Sequence, residues 1–223
     1  MLEGIDLYAA YGSTPALRGV SIFGSAGQSI AIVGPSGCGK STLLHCLAGL
    51  LRPTSGRVSF GRKDLYSLTE NERSILRLQR FGFVFQTSEL VAELSLRENV
   101  ALPLELLGAS RRESLRAANV ALDRLGIDDC AERRPANVSG GQRQRAAIAR
   151  ALIAKPSVVF ADEPTGALDS ENRDLVLDLL LETAREVGSL LMLVTHDPHI
   201  AHRLDHVVNM LDGQTHSTEV ASA

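Results

Sequence analysis

The sequence predicts a doubly wound α/β fold, in which a mostly parallel sheet carries helices on both faces. The first observation is a set of short, continuous apolar runs, which suit strands buried on both faces of a parallel sheet. These runs are Ser29–Val33, Ser157–Ala161, Leu190–Val194 and His206–Met210. The second observation is that helical patterns alternate with the runs. These patterns are Lys40–Leu50, Gly141–Ile153 and Asn172–Glu186.

Two regions depart from this alternation. Short segments separated by Gly and Pro, at Ile5–Tyr8, Leu17–Phe23 and Arg57–Phe60, predict a small antiparallel sheet beside the core. Residues from about 88 to 137 have helical periodicity throughout and predict an inserted helical subdomain. We therefore predict one domain over 1–223, with an α/β core from 1–87 and 138–223. The short polar tail after Gly213 is expected to fray.

Composition excludes several classes of function. Hydrophobic residues make up 44% of the 223 residues, which is enough for a core, and the net charge of −3 gives no basic excess for nucleic-acid binding. The three cysteines form no CxxC pair, which favours a reducing compartment and argues against a cysteine zinc site. The N-terminus does not resemble a signal peptide, and no apolar run approaches the roughly 20 residues that a membrane span needs.

A glycine-rich segment follows the first apolar run. Gly34–Ser41, GPSGCGKS, fits the P-loop pattern GxxxxGK followed by Ser or Thr, between a predicted strand and a predicted helix. Glycines let several N–H groups point at one phosphate, Lys40 can reach the β- and γ-phosphates, and Ser41 can bind Mg²⁺. The alternative is a glycine turn that arose by chance. The residues predicted to hold the nucleotide here are Gly34, Pro35, Ser36, Gly37, Cys38, Gly39, Lys40, Ser41 and Thr42.

A second apolar run delivers two carboxylates at its end. Asp162 and Glu163 follow Val158–Ala161, at the strand end where ligands sit in open α/β sheets. Asp162 is expected to hold Mg²⁺, and Glu163 to act as the general base on the attacking water. Because acidic turns after strands are common, this pattern has weight only together with the P-loop. The pair predicts a P-loop NTPase (RecA-like) core that binds ATP and Mg²⁺.

Five further motifs resemble those of the ABC ATPases. Val138–Gln142, VSGGQ, is similar to the LSGGQ signature, and Asp162–Asp169 to the strand-end carboxylates followed by the D-loop. Phe85-Gln86 resembles the Q-loop, Thr195–Asp197 resembles the H-loop, and Tyr11 matches the aromatic residue that stacks on adenine. The motifs occur in family order and with family spacing over roughly residues 5 to 213.

The resemblance implies a role for each motif. In the family the His corresponding to His196 contacts the γ-phosphate, and the signature faces nucleotide held by a second subunit, so that a homodimer closes over two ATP. The implied catalytic residues are Glu163, His196 and Gln86, and the implied metal ligands are Ser41, Gln86 and Asp162. Further implied nucleotide contacts are Tyr11, Ser139, Gly140, Gly141, Gln142, Asp162 and Asp169. The implied partner is an integral membrane permease subunit, with the chain peripheral on the cytoplasmic inner face of the cell membrane and without nucleic acid.

Alternatives remain open for several of these residues. Tyr8 is an alternative to Tyr11 as the residue that stacks on adenine, and Tyr11 is also consistent with an ordinary half-buried strand residue. Gln86 is also consistent with a polar residue at a strand end. Ser139 can cap the helix beginning near Gly141. The alternative to a nucleotide contact is therefore a Gly-rich helix start that binds no ligand. Four histidines raise the question of a metal site, although carboxylate or Cys partners are not evident. They are His196, His199, His202 and His206.

Finer resemblance indicates one branch of the family. ADEPTGALD at Ala161–Asp169 looks like the branch that contains macrolide exporters, the lipoprotein-release ATPase and the cell-division ATPase. That branch usually has L-L-P-x-L-T after the Q-loop, where this chain has Leu90–Ser95, LVAELS, so the membrane partner and cargo stay open. Just before the strand that leads into the P-loop, this chain has Gln28 where the family commonly has Glu.

The segment 87–108, with apolar residues in a loop, is expected to dock on the membrane subunit. The alternative is that these apolar residues cover the core of the helical subdomain itself. One rival function is a soluble ABC ATPase acting on nucleic acid or ribosomes, against which the negative net charge and the lack of a coiled-coil insertion or second ATPase domain argue. Another is a P-loop kinase, which would not explain the signature or the D-loop.

Overall fold

The computed structural model describes residues 1–166 and 170–220, and these fall into two compact units. One unit comprises Met1–Arg77 and the chain from Leu190 onward, and the other is Leu78–Ser189. The strands are β1 Leu2–Tyr11, β2 Thr14–Gly24, β3 Ser29–Val33, β4 Ser55–Phe60, β5 Lys63–Asp64, β6 Phe81–Phe85, β7 Val158–Asp162, β8 Leu190–Thr195, β9 His206–Leu211 and β10 Gln214–Val220. The helices are α1 Lys40–Leu47, α2 Glu70–Arg80, α3 Leu96–Leu106, α4 Arg111–Arg124, α5 Gly140–Leu152, α6 Ser170–Val187 and α7 Pro198–Ala201.

The parallel strands of the first unit are those that the apolar runs predict. β3 pairs in parallel with β8 on one side and with β9 on the other. Val33 at the end of β3 is in register with Thr195 of β8 and Asn209 of β9. The segments after β3 and β8 therefore leave the same edge of the sheet, where α/β proteins place their ligands.

The antiparallel part of the first unit is larger than predicted. Four strands pair in the order β2-β1-β4-β5, and the hairpin of β1 and β2 is longer at both ends than the predicted segments. The prediction that the tail after Gly213 frays is wrong, because β10 pairs antiparallel with β9. The sequence of this strand is polar and contains no apolar run, so its pairing with β9 through the backbone could not be predicted from its side chains.

The second unit combines β6 and β7, which pair in parallel, with helices α3 to α6. The prediction of helix throughout 88–137 is wrong at both ends, because helix begins only at Leu96, and after α4 ends at Arg124 the chain forms short 3-10 turns at Asp128–Cys130 and Pro135–Asn137. Ser95 accepts a hydrogen bond from the Glu98 amide, and Glu98 accepts one from the Ser95 amide in return. This capping box fixes the N-terminus of α3 and leaves the preceding residues as a loop.

Two further features bear on the sequence predictions. Helix α2 was not among the predicted helices; it is amphipathic, but none of its residues is buried. Among the described residues, no helix is long and apolar enough to cross a membrane. The division into a core of 1–87 and 138–223 with an inserted helical subdomain stays a prediction.

Candidate functional site

The P-loop of the first unit connects β3 to α1. Lys40, the first residue of α1, turns back across the loop, and its Nζ donates hydrogen bonds to the carbonyls of Gly34 at 2.8 Å and Pro35 at 2.9 Å. The side chain is thereby confined, and only 8% of Lys40 is exposed. Its ammonium group is held at the start of a helix, where the aligned peptide dipoles also favour an anion.

The close approach of two backbones requires glycine in this loop. Gly39 has a φ of 104°, and a Cβ at this position would lie 2.3 Å from the carbonyl oxygen of Ala16. No side chain from the described part of the chain caps α1, so its first N–H groups are available to a ligand. The exposed Ser41 hydroxyl is a hard oxygen of the kind that Mg²⁺ prefers. These features fit a nucleotide phosphate with its Mg²⁺ ion.

The P-loop is anchored to the hairpin of β9 and β10. The Cys38 carbonyl accepts a hydrogen bond from the Gly213 amide at 3.1 Å, and the Gly213 carbonyl accepts one from the Arg18 amide at 2.8 Å. Cys38 itself is buried, and its amide donates to the Pro35 carbonyl. The turn between β9 and β10 therefore supports the P-loop, although only β9 of this hairpin was predicted as a strand.

His196 follows β8 at the edge that the P-loop shares. It is exposed and lies directly after Thr195, which is in register with Val33. The Asp197 amide donates to the Thr195 hydroxyl at 3.0 Å, and the Asp197 carboxylate accepts from the His199 amide at 2.9 Å, which fixes the turn. The described residues contain no group of three His, Cys, Asp or Glu side chains that could hold a metal ion.

Both candidate tyrosines of the first unit are exposed. Tyr11 lies at the end of β1 and is 56% exposed, and Tyr8 is 47% exposed. A large aromatic ring on the surface is available for stacking on a base. The choice of Tyr11 over Tyr8 stays a prediction.

In the second unit, the two strand ends lie side by side. Phe85 of β6 is in register with Asp162 of β7, so Gln86 and Glu163 leave neighbouring positions at the same edge. Glu163 has a φ of 46°, and its carbonyl accepts a hydrogen bond from the Gly166 amide at 3.1 Å. A non-glycine residue in this left-handed conformation is uncommon and often marks a functional site.

Gln86 also lies close to the turn that follows β7. A Cβ added at Gly166 would be 2.9 Å from the Nε2 atom of Gln86. The structure thus brings together Gln86 and the segment from Asp162 to Gly166. Asp169, which the resemblance assigns to nucleotide binding, lies outside the described residues, as do Ala167 and Leu168.

The signature residues form the start of α5. Ser139 is the N-cap: its hydroxyl accepts from the Gln142 amide at 3.2 Å, and the Gln142 side chain accepts from the Ser139 amide at 2.9 Å. This confirms the predicted cap, with the helix beginning at Gly140. Arg143 donates to the carbonyls of Pro135 and Val138 and holds the preceding turn. Ser139 stays exposed, so its hydroxyl can also reach a ligand.

Sequence reasoning missed two polar residues further along α5. Gln144 is 2% exposed and hydrogen-bonded to the carbonyl of Phe85, and Arg150 donates to the carbonyls of Ser88 and Glu89. The available signal was a glutamine just before the apolar stretch Ala146–Ala149 of the helix. A polar side chain on such a buried face needs partners.

Comparison with known proteins gives one family. The model for the family described as ABC transporter matches residues 17–166. The chain is 42% identical over 98% of both chains to the lipoprotein-releasing system ATP-binding protein LolD of Legionella pneumophila strain Paris. It is 44% identical to the LolD protein of Hydrogenovibrio crunogenus, over 90% of this chain and 87% of that protein.

The solved structures agree with these relatives. The ATP-binding cassette MJ0796, described in a dimeric post-hydrolysis state bound to ADP and Pi, superposes with a TM-score of 0.92 at 33% identity and full coverage of both chains. A second dimeric structure of MJ0796, described as a bacterial ABC transporter cassette, also gives a TM-score of 0.92, at 34% identity. The predicted fold class is thereby confirmed.

Proposed function

The chain belongs to the ABC transporter family of ATPases, and from that premise we propose that it powers a membrane complex that releases lipoproteins. As a member of this family it binds ATP with Mg²⁺ and hydrolyses ATP. In our proposal it lies in the cytoplasm on the inner face of the cell membrane. Two chains close over two ATP there and act on an integral membrane permease subunit.

A single observation carries the choice of cargo. The similarity to lipoprotein-releasing ATPases extends over 98% of both chains, so it includes the segment 87–108 that is expected to meet the membrane subunit. A likeness confined to the nucleotide motifs would support only the ATPase. The rival P-loop kinase is set aside by the family match, which includes the signature region.

The first unit supplies the groups that bind nucleotide in this proposal. The P-loop backbone and Lys40 hold the phosphates, Ser41 binds Mg²⁺, and Tyr11 stacks on the adenine ring. His196, at the end of β8, contacts the γ-phosphate. When bound, Mg²⁺ neutralises charge on the phosphates and so favours attack by water.

The second unit supplies the groups that drive hydrolysis. Asp162 contributes to holding Mg²⁺, Glu163 takes a proton from the attacking water, and Gln86 orients that water or the metal ion. The helix start at Ser139–Gln142 faces the γ-phosphate held by the other chain of the dimer. We assign Asp169 a nucleotide contact on resemblance alone.

The docking surface in this proposal is the segment 87–108. Asn99, which is fully buried, accepts a hydrogen bond from the Val91 amide and donates to the carbonyls of Val91, Leu94 and Ser95. This network fixes the loop before α3 while Val91 stays 38% exposed. Leu90 and Leu94 are half-buried, so part of the loop also packs on its own unit.

A reconstitution experiment tests the proposed cargo. The chain would be co-purified with its membrane subunits, placed in liposomes containing an acylated lipoprotein, and supplied with ATP and a soluble lipoprotein acceptor. We expect ATP-dependent transfer to the acceptor, and none with the Glu163→Gln variant. ATPase activity stimulated by a macrolide and indifferent to lipoprotein would contradict the proposal.

A pair of variants tests the docking surface. Val91→Asp should abolish stimulation of the ATPase by the membrane subunit while leaving the basal rate of the isolated chain unchanged, because a charge in an apolar contact is costly. Val120→Asp is the matched control, since Val120 is an exposed valine of α4 outside the segment. Cysteine at Ala92 should crosslink to the membrane subunit. Equal effects of the two variants would remove the segment from docking.

A further inference from the structure

Helix α5, which begins at the signature, is tied to the chain just after β6 by a buried glutamine. The Nε2 atom of Gln144 donates to the Phe85 carbonyl at 3.0 Å, and its Oε1 accepts from the Ser88 hydroxyl. Gln144 is 2% exposed and Ser88 is 5% exposed. Both hydrogen bonds are therefore shielded from water, which makes their loss costly.

An arginine two turns further along α5 reaches the same segment. Arg150 donates from Nη1 to the Glu89 carbonyl at 2.8 Å and from Nη2 to the Ser88 carbonyl at 3.1 Å. Burial lowers the pKa of the Arg150 guanidinium, because surroundings of low polarity disfavour its charged form. The planar guanidinium group fixes two successive carbonyls in one geometry.

The segment that these side chains hold is conformationally strained. Ser88 and Glu89 have φ values of 63° and 43°, so two successive non-glycine residues occupy the left-handed region. Such residues persist only where surrounding contacts determine the conformation. The Ser88 amide donates to the Phe85 carbonyl, and the side chains that bond to Ser88 and Glu89 come from α5.

The far end of α5 also lies directly against β6. A Cβ added at Gly82 would be 2.3 Å from the carbonyl oxygen of Ala151, so the helix backbone touches the strand there. Contacts at Gly82 and Phe85 fix the helix along the length of the strand. Gln86 follows that strand, and Ser139 begins that helix.

We infer that Gln144 and Arg150 are positioning residues that make Gln86 and the signature helix respond to nucleotide together. The inference rests on the roles proposed above for Gln86 and Ser139. Neither positioning residue belongs to the P-loop. Their loss should therefore lower turnover and leave nucleotide binding by the P-loop unchanged.

The test compares two arginines of the same helix. Arg145 also donates to two backbone carbonyls, but those belong to Leu125 and Gly126 after α4. Arg150→Ala should lower kcat about 10- to 100-fold through misplacement of catalytic groups, with unchanged affinity for ADP. It should also speed hydrogen exchange of the amides at 86–89. Arg145→Ala should do neither, and Arg150→Lys, which keeps a donor, should recover part of kcat.

Three results overturn the inference: a kcat for Arg150→Ala within about threefold of that for Arg145→Ala, a parallel loss of ADP affinity, or unchanged exchange at 86–89. Thermal unfolding of both variants shows whether they lose equal stability, as removal of two similar hydrogen bonds predicts. Failure of the proposed function would look different, because the wild-type chain would then hydrolyse ATP without transferring lipoprotein in the reconstituted system. The exchange measurement would still test the contacts of Arg150.

Discussion

The P-loop of the first unit keeps its shape through its backbone, whereas the segment after β6 in the second unit keeps its shape through side chains from a distant helix. Gly39 leaves no room for a Cβ beside the Ala16 carbonyl. Ser88 and Glu89 have positive φ values, and hydrogen bonds with Gln144 and Arg150 stabilise this strained conformation. When the backbone determines the shape of a loop, particular residues are needed at fixed spacing, and the sequence shows them as a motif. When side chains from a distant helix determine the shape, the sequence of the loop itself contains no motif.

In the proposed reaction the two units contribute different groups. The first unit presents an ammonium group and helix N–H groups, which suit the binding of phosphate before any reaction occurs. The second unit presents Asp162, Glu163 and Gln86 at adjacent strand ends, which suits proton transfer and the placement of water. Substitutions in the first unit should therefore change nucleotide affinity, and those in the second should change turnover.

The largest expected effect is that of Glu163→Gln. It should lower kcat about 10²- to 10⁴-fold, the usual cost of removing a general base, while ATP affinity is retained. Because the ATP-bound dimer then cannot reset, it should accumulate in size-exclusion chromatography with ATP. Glu182→Gln, at an exposed glutamate of α6, is the control. Normal turnover in Glu163→Gln would remove Glu163 from this role.

The next effect should come from Ser139→Arg. The bulk and charge would obstruct the helix start that faces phosphate, and kcat should fall about 10²- to 10³-fold, as when one stabilising donor is removed. Ser110→Arg is a close control, since Ser110 caps α4 with the same capping box. If both variants lost activity equally, loss of the cap rather than loss of the phosphate contact would be the cause.

A mixed dimer sharpens this prediction. With Ser139→Arg in one chain and Lys40→Ala in the other, one composite site should stay intact, because we propose that the signature acts on nucleotide held by the other chain. ATP turnover by the mixed dimer should therefore exceed that of either homodimer in which both chains carry the same substitution. Equal inactivity, after nucleotide binding has been confirmed, would contradict the arrangement in trans.

Lys40→Ala should have a smaller effect, and of a different kind. Loss of a charged hydrogen-bond donor costs about 1.5–3 kcal/mol, so ATP affinity should fall roughly 10- to 100-fold in isothermal titration. Gly39→Ala should weaken binding at least as much, since it displaces backbone. Lys63→Ala, at an exposed lysine of the same unit, is the control. Unchanged affinity in Lys40→Ala would mean that the loop does not hold phosphate.

The same contrast explains which parts of the molecule the sequence could predict. β3, β7 and β8 lie within one residue of their predicted bounds because central parallel strands are continuously apolar. β10 has a polar sequence and pairs with β9 through its backbone, so no local apolar pattern predicts it. The motif residues were identifiable because chemistry fixes their spacing. Gln144 and Arg150 were not, because their partners become neighbours only in the folded chain.

The smallest effect should follow Gly166→Ala. This variant tests whether a glycine of the second unit is needed for its backbone shape, as Gly39 is in the first unit. The added Cβ would lie 2.9 Å from the Nε2 atom of Gln86, which is the end of a flexible side chain and can turn away. Unlike Gly39, Gly166 does not have a positive φ, so alanine fits its backbone. Displacing Gln86 should lower kcat about threefold without changing ATP affinity. Turnover and titration of Gly166→Ala beside Gly39→Ala measure this difference. An affinity loss in Gly166→Ala as large as that in Gly39→Ala would show that backbone shape matters equally in both regions.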